Sequence, residues 1–360
     1  MEKVLMKGNE AFAEAAIRCG CRFYYGYPIT PQNEITEYMA ENLSKAGGSF
    51  IQAESELAAV SMAYGTACAG GSVMLSSSSP GIALMQEGIS FTSSVQLPLV
   101  VLNVSRGGPG IGSIQPAQQD YNQATKASGN GGFRMLVLAP STVQEAIDMT
   151  YEAFDYADKY RKPVLLLVDG FIGAMMEPIA LPPMKTDEEV AAIRETKKSW
   201  APIGRKGGPV HNVLGGVGLS KLRLQNLNKQ DEELYEKWKA TETDVEEYLV
   251  DDADYIMTGY GTSARIGQSA VNILRKEGLK YGFIRPKKLY PFPECCFQKL
   301  DYCKVRGILG VEMSIPAQYA EDVRSIVAGR IPVRTNLRSG GEIIERVDIL
   351  DAARLLAKEV

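Results

Sequence analysis

Histidine is almost missing from this chain, with His211 the only one in 360 residues. A zinc site is therefore poorly supplied. A serine hydrolase is disfavoured further, because no G-x-S-x-G elbow occurs and the single histidine sits in a polar insertion. Cysteine is present but wrongly spaced for a cluster. Cys19, Cys21, Cys68, Cys295, Cys296 and Cys303 contain no C-x-x-C pair and no fourfold ferredoxin run, so the chain is not expected to hold an iron–sulfur cluster. Neither sign of charge dominates. The 39 Lys and Arg against 43 Asp and Glu leave a net −4, which gives no footprint for nucleic acid or an anionic membrane. No uninterrupted apolar run nears the roughly 20 residues of a spanning helix. The segment Met1-Glu2-Lys3-Val4-Leu5-Met6 leads into folded-looking sequence without a signal peptide, so a cytoplasmic location is expected.

What the chain does have is concentrated between Phe50 and Gly81. Ser49–Ala53 reads as a strand, Ser55 as the N-cap of the following helix, and Glu56 as its first residue. Small residues (Ala58, Ala59, Ala63, Gly65, Ala67) leave room for other backbones to approach that helix. The apolar strand Val73–Leu75 then ends in Ser76–Ser79 and the Pro80-Gly81 turn. A carboxylate and a hydroxyl cluster thus lie at the carboxyl ends of strands, the edge where open parallel sheets bind ligands. By position alone Glu56 could simply complement the helix dipole, for under about 1 kcal/mol.

Before this stretch, Gly8–Gly20 reads as a helix and Arg22–Tyr25 as a strand. In the loop Gly26-Tyr27-Pro28-Ile29-Thr30-Pro31, the two prolines hold Thr30 extended, as a ligand contact or as the cap of a helix starting at Pro31. After it, the strand Leu99–Val104 ends in Ser105-Arg106. The glycines from Gly107 to Gly112 match neither dinucleotide nor P-loop patterns. Arg106 is suited to holding a carboxylate by two hydrogen bonds, or else is an exposed arginine pairing with an acid such as Asp120. The stretch from Gly107 to about Asn130 lacks periodicity and is long for a plain connection, as functional loops are. Arg134–Ala139 and Val164–Asp169 complete six strands alternating with helices, hence a mostly parallel sheet. Between them a helix is expected from Ser141, with Gln144 closing a capping box.

The spacing divides the chain into residues 1–182, a linker or insertion at 183–250, and a second α/β unit at 251–360. The insertion is polar, holds His211 as a solvated loop residue, and is expected to be helical from Asn226 to Leu249. In the second unit the expected strands are Tyr255–Thr258, Tyr281–Ile284 and Arg306–Val311, with helices from about Thr262 to Lys276, over Ala317–Ala328 and at the end of the chain.

Several of these segments, in order, resemble the alpha subunit of the 2-oxoacid:ferredoxin oxidoreductases. They are Gly26–Pro31 (GYPITP), Gln52–Glu56 (QAESE), Ser77–Gly81 (SSSPG) and Asn103–Gly108 (NVSRGG). GYGTSAR, IRPKKLYPFP and VEMS followed by Gln318 extend the resemblance over nearly the whole chain, with the insertion weakest. Met6–Glu10, Pro31–Glu34 and Met85–Gly88 are most similar to the branched-chain, 2-oxoisovalerate type.

The resemblance implies a thiamine-diphosphate-binding pyrimidine domain, a doubly wound parallel sheet, followed by a smaller transketolase C-terminal-like α/β domain. It implies oxidative decarboxylation of a branched-chain 2-oxoacid to acyl-CoA, with electrons passed to ferredoxin. Glu56 falls where the family places the carboxylate that bonds the aminopyrimidine N1′ and promotes loss of the thiazolium proton. Thr30 and Arg106 match residues that bind the substrate carboxylate in related pyruvate enzymes, while Pro28, Ile29, Ser78, Ser79 and Pro80 would line the cofactor. The Gly-Asp-Gly segment with which thiamine enzymes hold the diphosphate and Mg²⁺ does not occur. A beta subunit carrying that site and an iron–sulfur cluster is therefore expected, with a small ferredoxin-like subunit beside it. Two alternatives stand next to this reading: a 2-oxoglutarate-type alpha subunit and a non-catalytic scaffold subunit.

Overall fold

A computed structural model describes residues 3–126, 128–202, 204, 212–215 and 220–360. The expectation for His211 lies outside the described residues. Six parallel strands form the first sheet, in spatial order Leu136–Leu138, Pro163–Asp169, Leu99–Ser105, Val73–Ser77, Phe23–Gly26 and Ser49–Gln52. A seventh, antiparallel strand, Lys288–Tyr290, reaches back from the second unit to pair with Leu136–Leu138. Both faces are covered, so the central strands read as continuous apolar runs whose successive side chains serve different cores. In Leu99–Ser105, Leu99 and Val101 pack with Ala59, Val60 and Ile82 on one face, and Val100, Leu102 and Val104 with Phe12, Ile35 and Phe154 on the other.

The strand order fixes where a ligand can bind. From Phe23–Gly26 the chain first crosses to the outer neighbour Ser49–Gln52, then returns to the opposite side at Val73–Ser77. That reversal is the topological switch point, where the loops leaving adjacent carboxyl ends diverge and open a crevice.

The second sheet runs Val333–Leu337, Gly307–Glu312, Tyr255–Thr258, Tyr281–Pro286 and Val245–Tyr248, parallel except for the last. Its three inner strands are those expected from sequence. The two edges, VRTNL and VEEY, carry too many polar residues for hydrophobic pattern to reveal them. The insertion helix spans Lys221–Thr241, capped by Ser220, and gives way to the Val245–Tyr248 edge strand rather than running on to Leu249. A further helix, Asp187–Lys197, opens with a Thr186–Glu189 capping box. Sequence pattern also overlooked the antiparallel ribbon of Lys3–Lys7 with Met176–Ala180.

Two helix starts differ from expectation. The helix after Leu136–Leu138 is capped by Thr142, whose hydroxyl accepts from the Glu145 N–H, whereas Ser141 lies outside and donates to the Glu145 carboxylate. Gln144 instead holds both backbone groups of Ala180. The helix after the Thr30 loop begins at Asn33, with Gln32 as N-cap. Pro31 stays in the preceding turn because the Gln32 N–H bonds back to the Ile29 carbonyl.

Candidate active site

The four adjacent strands from Ser49–Gln52 to Leu99–Ser105 deliver their carboxyl ends to one crevice. Ser55 is extended and its hydroxyl accepts from the Ala58 N–H, so the helix begins at Glu56. This places the Glu56 carboxylate at the positive end of the helix dipole. The residue is 4% exposed, and Ser77 Oγ donates to it over a long 3.4 Å. A carboxylate this buried with one weak partner is set up for a further donor.

Gly81 shows why no side chain is tolerated opposite it. A β-carbon there would fall inside the van der Waals shells of both Ser77 Oγ and Glu56 Oε1. The neighbouring serines have divided roles. Ser76 donates to Gln32 Oε1 at 2.6 Å and takes the Tyr24 hydroxyl at 2.6 Å, tying the strand end to the Thr30 loop. The Ser79 hydroxyl is committed inside the protein, at 2.5 Å from Asp120 Oδ2 and 2.9 Å from the Arg106 N–H. Ser78 Oγ is fully buried and has no partner among the described residues. Of the three it is the hydroxyl left for a ligand, and Pro80 follows in the first turn of the helix Ser79–Ser94.

Arg106 is 7% exposed, and its guanidinium bonds to backbone carbonyls while Asp120 takes Ser79 and Asn103, so the surface ion-pair reading fails. Its guanidinium spans two loops, donating to the Thr30 carbonyl and to the Ile111 carbonyl, both at 2.9 Å. Its Nε–H is buried with no acceptor. Thr30 is partly exposed, and among the described residues its hydroxyl makes no hydrogen bond. Pro28 is exposed and Ile29 half-buried on the same loop. The structure thus brings Thr30 and Arg106 together directly, and Ser79 ties the Arg106 backbone to the strand end whose Ser77 meets Glu56.

Asp120 is the residue that sequence pattern misjudged. It lies in a stretch without periodicity, and its partners are 41 and 17 residues away: Ser79 and Asn103, whose Nδ2 donates at 2.8 Å. Burial pushes the Asp120 carboxyl above its usual range, against the Ser79, Asn103 and Ser105 hydrogen bonds that lower it. Among the described residues no group of three or more His, Cys, Asp or Glu side chains could hold a metal ion, and no helix is long and apolar enough to cross a membrane.

Set beside known proteins, residues 14–247 match the thiamine-diphosphate-binding model of pyruvate flavodoxin/ferredoxin oxidoreductases, and residues 253–349 match core domain II of pyruvate:ferredoxin oxidoreductase. The chain belongs to the 2-oxoacid:ferredoxin oxidoreductase family. It is 43% identical to ketoisovalerate oxidoreductase subunit VorB of Methanothermobacter thermautotrophicus, over 99% of each chain. It is 34% identical to 2-oxoglutarate synthase subunit KorA of Methanocaldococcus jannaschii, over 89% of this chain and 91% of the relative. Among solved structures, 2-oxoglutarate:ferredoxin oxidoreductase from Magnetococcus marinus, with 2-oxoglutarate, coenzyme A and succinyl-CoA bound, superposes with a TM-score of 0.84 at 24% identity. That likeness covers 99% of this chain and 65% of the longer chain, and it establishes the shared fold. A split-gene transketolase, solved as an inactive beta4 tetramer, shares the architecture at a TM-score of 0.60 over 98% of both chains, at 12% identity.

Proposed function

We propose that this chain is the pyrimidine-binding half of a shared thiamine diphosphate site in a branched-chain 2-oxoacid:ferredoxin oxidoreductase. The carrying observation is the set of groups at the switch point: a buried Glu56 with one weak donor, a Ser78 hydroxyl without a partner among the described residues, and a space that a β-carbon on Gly81 would fill. These residues fit an aminopyrimidine, which offers a ring nitrogen and an amino group to a carboxylate and a hydroxyl.

Thiamine diphosphate, when bound, supplies the electron sink that lets a 2-oxoacid lose its carboxylate as carbon dioxide. The chain's part is binding and proton placement. Glu56, buried at its helix start, would hold the pyrimidine ring through its carboxylate and exchange a proton with it. The free Nε–H and the positive charge of Arg106 would hold the substrate carboxylate, with the Thr30 hydroxyl beside it. Pro28, Ile29 and Pro80 would shape the walls.

The site is open on one side. Leu57 and Leu84 are each 50% exposed on the two helices that start at the crevice, and Phe91 is 47% exposed further along. An apolar face of this kind marks a protein interface. In the proposed complex it meets a beta subunit carrying the diphosphate and Mg²⁺ site and an iron–sulfur cluster. A ferredoxin-like subunit, ferredoxin as electron acceptor and coenzyme A as acyl acceptor complete the reaction. The division into a cofactor unit (1–182), a linker (183–250) and a second unit (251–360) belongs to the same proposal.

Similarity to the ketoisovalerate subunit at 43% identity, against 34% for the 2-oxoglutarate subunit, supports the branched-chain substrate. The test is anaerobic purification with a tag on this chain, followed by CoA-dependent viologen reduction with 2-oxoisovalerate, pyruvate and 2-oxoglutarate. Fastest reduction with 2-oxoisovalerate is expected. Preference for 2-oxoglutarate would move the chain to the dicarboxylate type, and an intact complex reducing with none would leave a scaffold.

A further inference from the structure

A carboxylate outside the reacting groups joins the two halves of the crevice. Asp120 is 9% exposed, and its Oδ2 receives both the Ser79 hydroxyl at 2.5 Å and the Asn103 amide at 2.8 Å. With its one proton directed to Asp120 at 2.5 Å rather than to the Arg106 carbonyl at 3.2 Å, Ser79 Oγ turns a lone pair to the Arg106 N–H at 2.9 Å. Ser79 opens the helix that carries Gly81 opposite Glu56, and Ser78 caps it. Arg106 ends the neighbouring strand, and its side chain holds the Thr30 and Ile111 carbonyls.

We propose that Asp120 is a positioning residue, setting the distance between the Glu56–Ser78 side of the crevice and the Arg106–Thr30 side through the Ser79 hydroxyl. This rests on the functional reading above for its kinetic consequence, though not for the clamp itself. The surroundings explain why a single group has such reach. Among the described residues Asn103 Oδ1 and Arg106 Nε are buried without partners, and Asp120 is the acceptor that holds the Ser79 hydroxyl and the Asn103 amide most closely. Its own loop is anchored independently. Gln118 donates to the Tyr260 carbonyl at 2.8 Å and accepts from Ser263 at 2.6 Å, and Tyr121 donates to Asp322 at 2.5 Å. Asp120 is thus presented from a segment braced on the second unit.

The test compares Asp120→Ala, Asp120→Asn, Ser79→Ala and the Ser79→Ala/Asp120→Ala double variant in the purified complex. Steady-state kinetics are expected to show the KM for the 2-oxoacid raised at least about tenfold in Asp120→Ala and Ser79→Ala, a loss of the order of one charge-assisted hydrogen bond. The KM for coenzyme A should stay within about twofold, because nothing in the clamp reaches beyond the crevice. The double variant should be no worse than Asp120→Ala, and Asp120→Asn, which retains one acceptor, should recover most of the loss. A lowered melting temperature with both KM values unchanged would overturn the positioning role.

Hydrogen exchange of the same complexes reads the clamp without any turnover. Faster exchange in Asp120→Ala confined to residues 76–83 and 103–112 is expected, and unchanged exchange there would overturn it. Faster exchange in a complex that reduces no 2-oxoacid would leave the clamp standing and sink the functional reading instead.

Discussion

At the scale of single residues, the site depends on atoms whose surroundings leave them little choice. Glu56 is held by its helix start, its burial and Gly81. Glu56→Gln keeps volume and shape but replaces the carboxylate with an amide that cannot pass a proton, so the complex should assemble normally while turnover falls by about 10²-fold or more, the range of general acid–base contributions. Unchanged viologen reduction at full thiamine diphosphate occupancy would remove Glu56 from the mechanism. Gly81→Ala acts by contact. Its methyl group must displace Ser77 or Glu56, at about 1–3 kcal/mol of overpacking; thermal unfolding should register that loss, together with weakened cofactor retention on gel filtration. The proposed role of Glu56 comes from the family resemblance, but its place at a helix start could be read from the sequence because its signals are local, a cap at Ser55 and small residues after. Asp120 could not, because what matters about it lies with Ser79 and Asn103, brought alongside only by the order of strands in the sheet.

Among elements, the insertion helix Lys221–Thr241 is expected from about Asn226, but the way it docks is not, since its sequence is polar almost throughout. It is fastened by a buried ion pair beside a short apolar stripe of Leu234, Tyr235 and Trp238. Lys162 is 1% exposed, with its ammonium 2.7 Å from Asp231 and 3.1 Å from the Ser93 carbonyl. Tyr235 and Trp238 of the same helix pack beside it. Sequence pattern registers apolar periodicity and passes over one acid that meets a lysine 69 residues away. Burial lowers the Lys162 pKa, and Asp231 opposes that shift. Asp231→Ala should therefore cost about 3–5 kcal/mol near neutral pH by stranding a buried charge. The sign of its pH dependence follows. Without Asp231 the folded-state pKa of Lys162 falls further below its unfolded value, so the folded state binds the proton less tightly and the variant gains stability as pH rises through that folded-state value. Melting curves between pH 7 and 10 should show the gap to wild type narrowing; a constant gap would mean that lost packing, not the stranded charge, sets the cost.

Across the whole molecule, the two sheets are joined by polar contacts that hydrophobic pattern cannot reveal. Asp169, at the end of the strand Pro163–Asp169, accepts the Thr262 hydroxyl at 2.7 Å and the Thr262 N–H at 3.1 Å, from the start of the helix Gly261–Lys276. Arg285 of the second sheet reaches Glu145 of the first unit with two hydrogen bonds of 2.6 and 2.9 Å, and Glu246 with a third of 2.7 Å. Motif order made two α/β units legible, but their mutual fit depends on residues 93 and 140 positions apart in the chain. Burial alone would raise the Glu145 carboxyl; the Arg285 bonds and those from Ser141 outweigh it and hold the pKa below the usual value. A depressed carboxylate contributes stability above its unfolded pKa of about 4.3 and loses that contribution as pH falls through the folded value. Arg285→Leu removes the countercharge and leaves Glu145 partly buried and unpaired across the joint. It should lower the melting temperature strongly at pH 7, by a free energy of about 3–5 kcal/mol for breaking a buried pair. The difference from wild type should shrink as pH falls below about 4, where protonated Glu145 no longer needs its partner. A difference that persisted unchanged into acid would place the importance of Arg285 in its packing at the joint, since its pairs with Glu145 and Glu246 both need an ionised carboxylate.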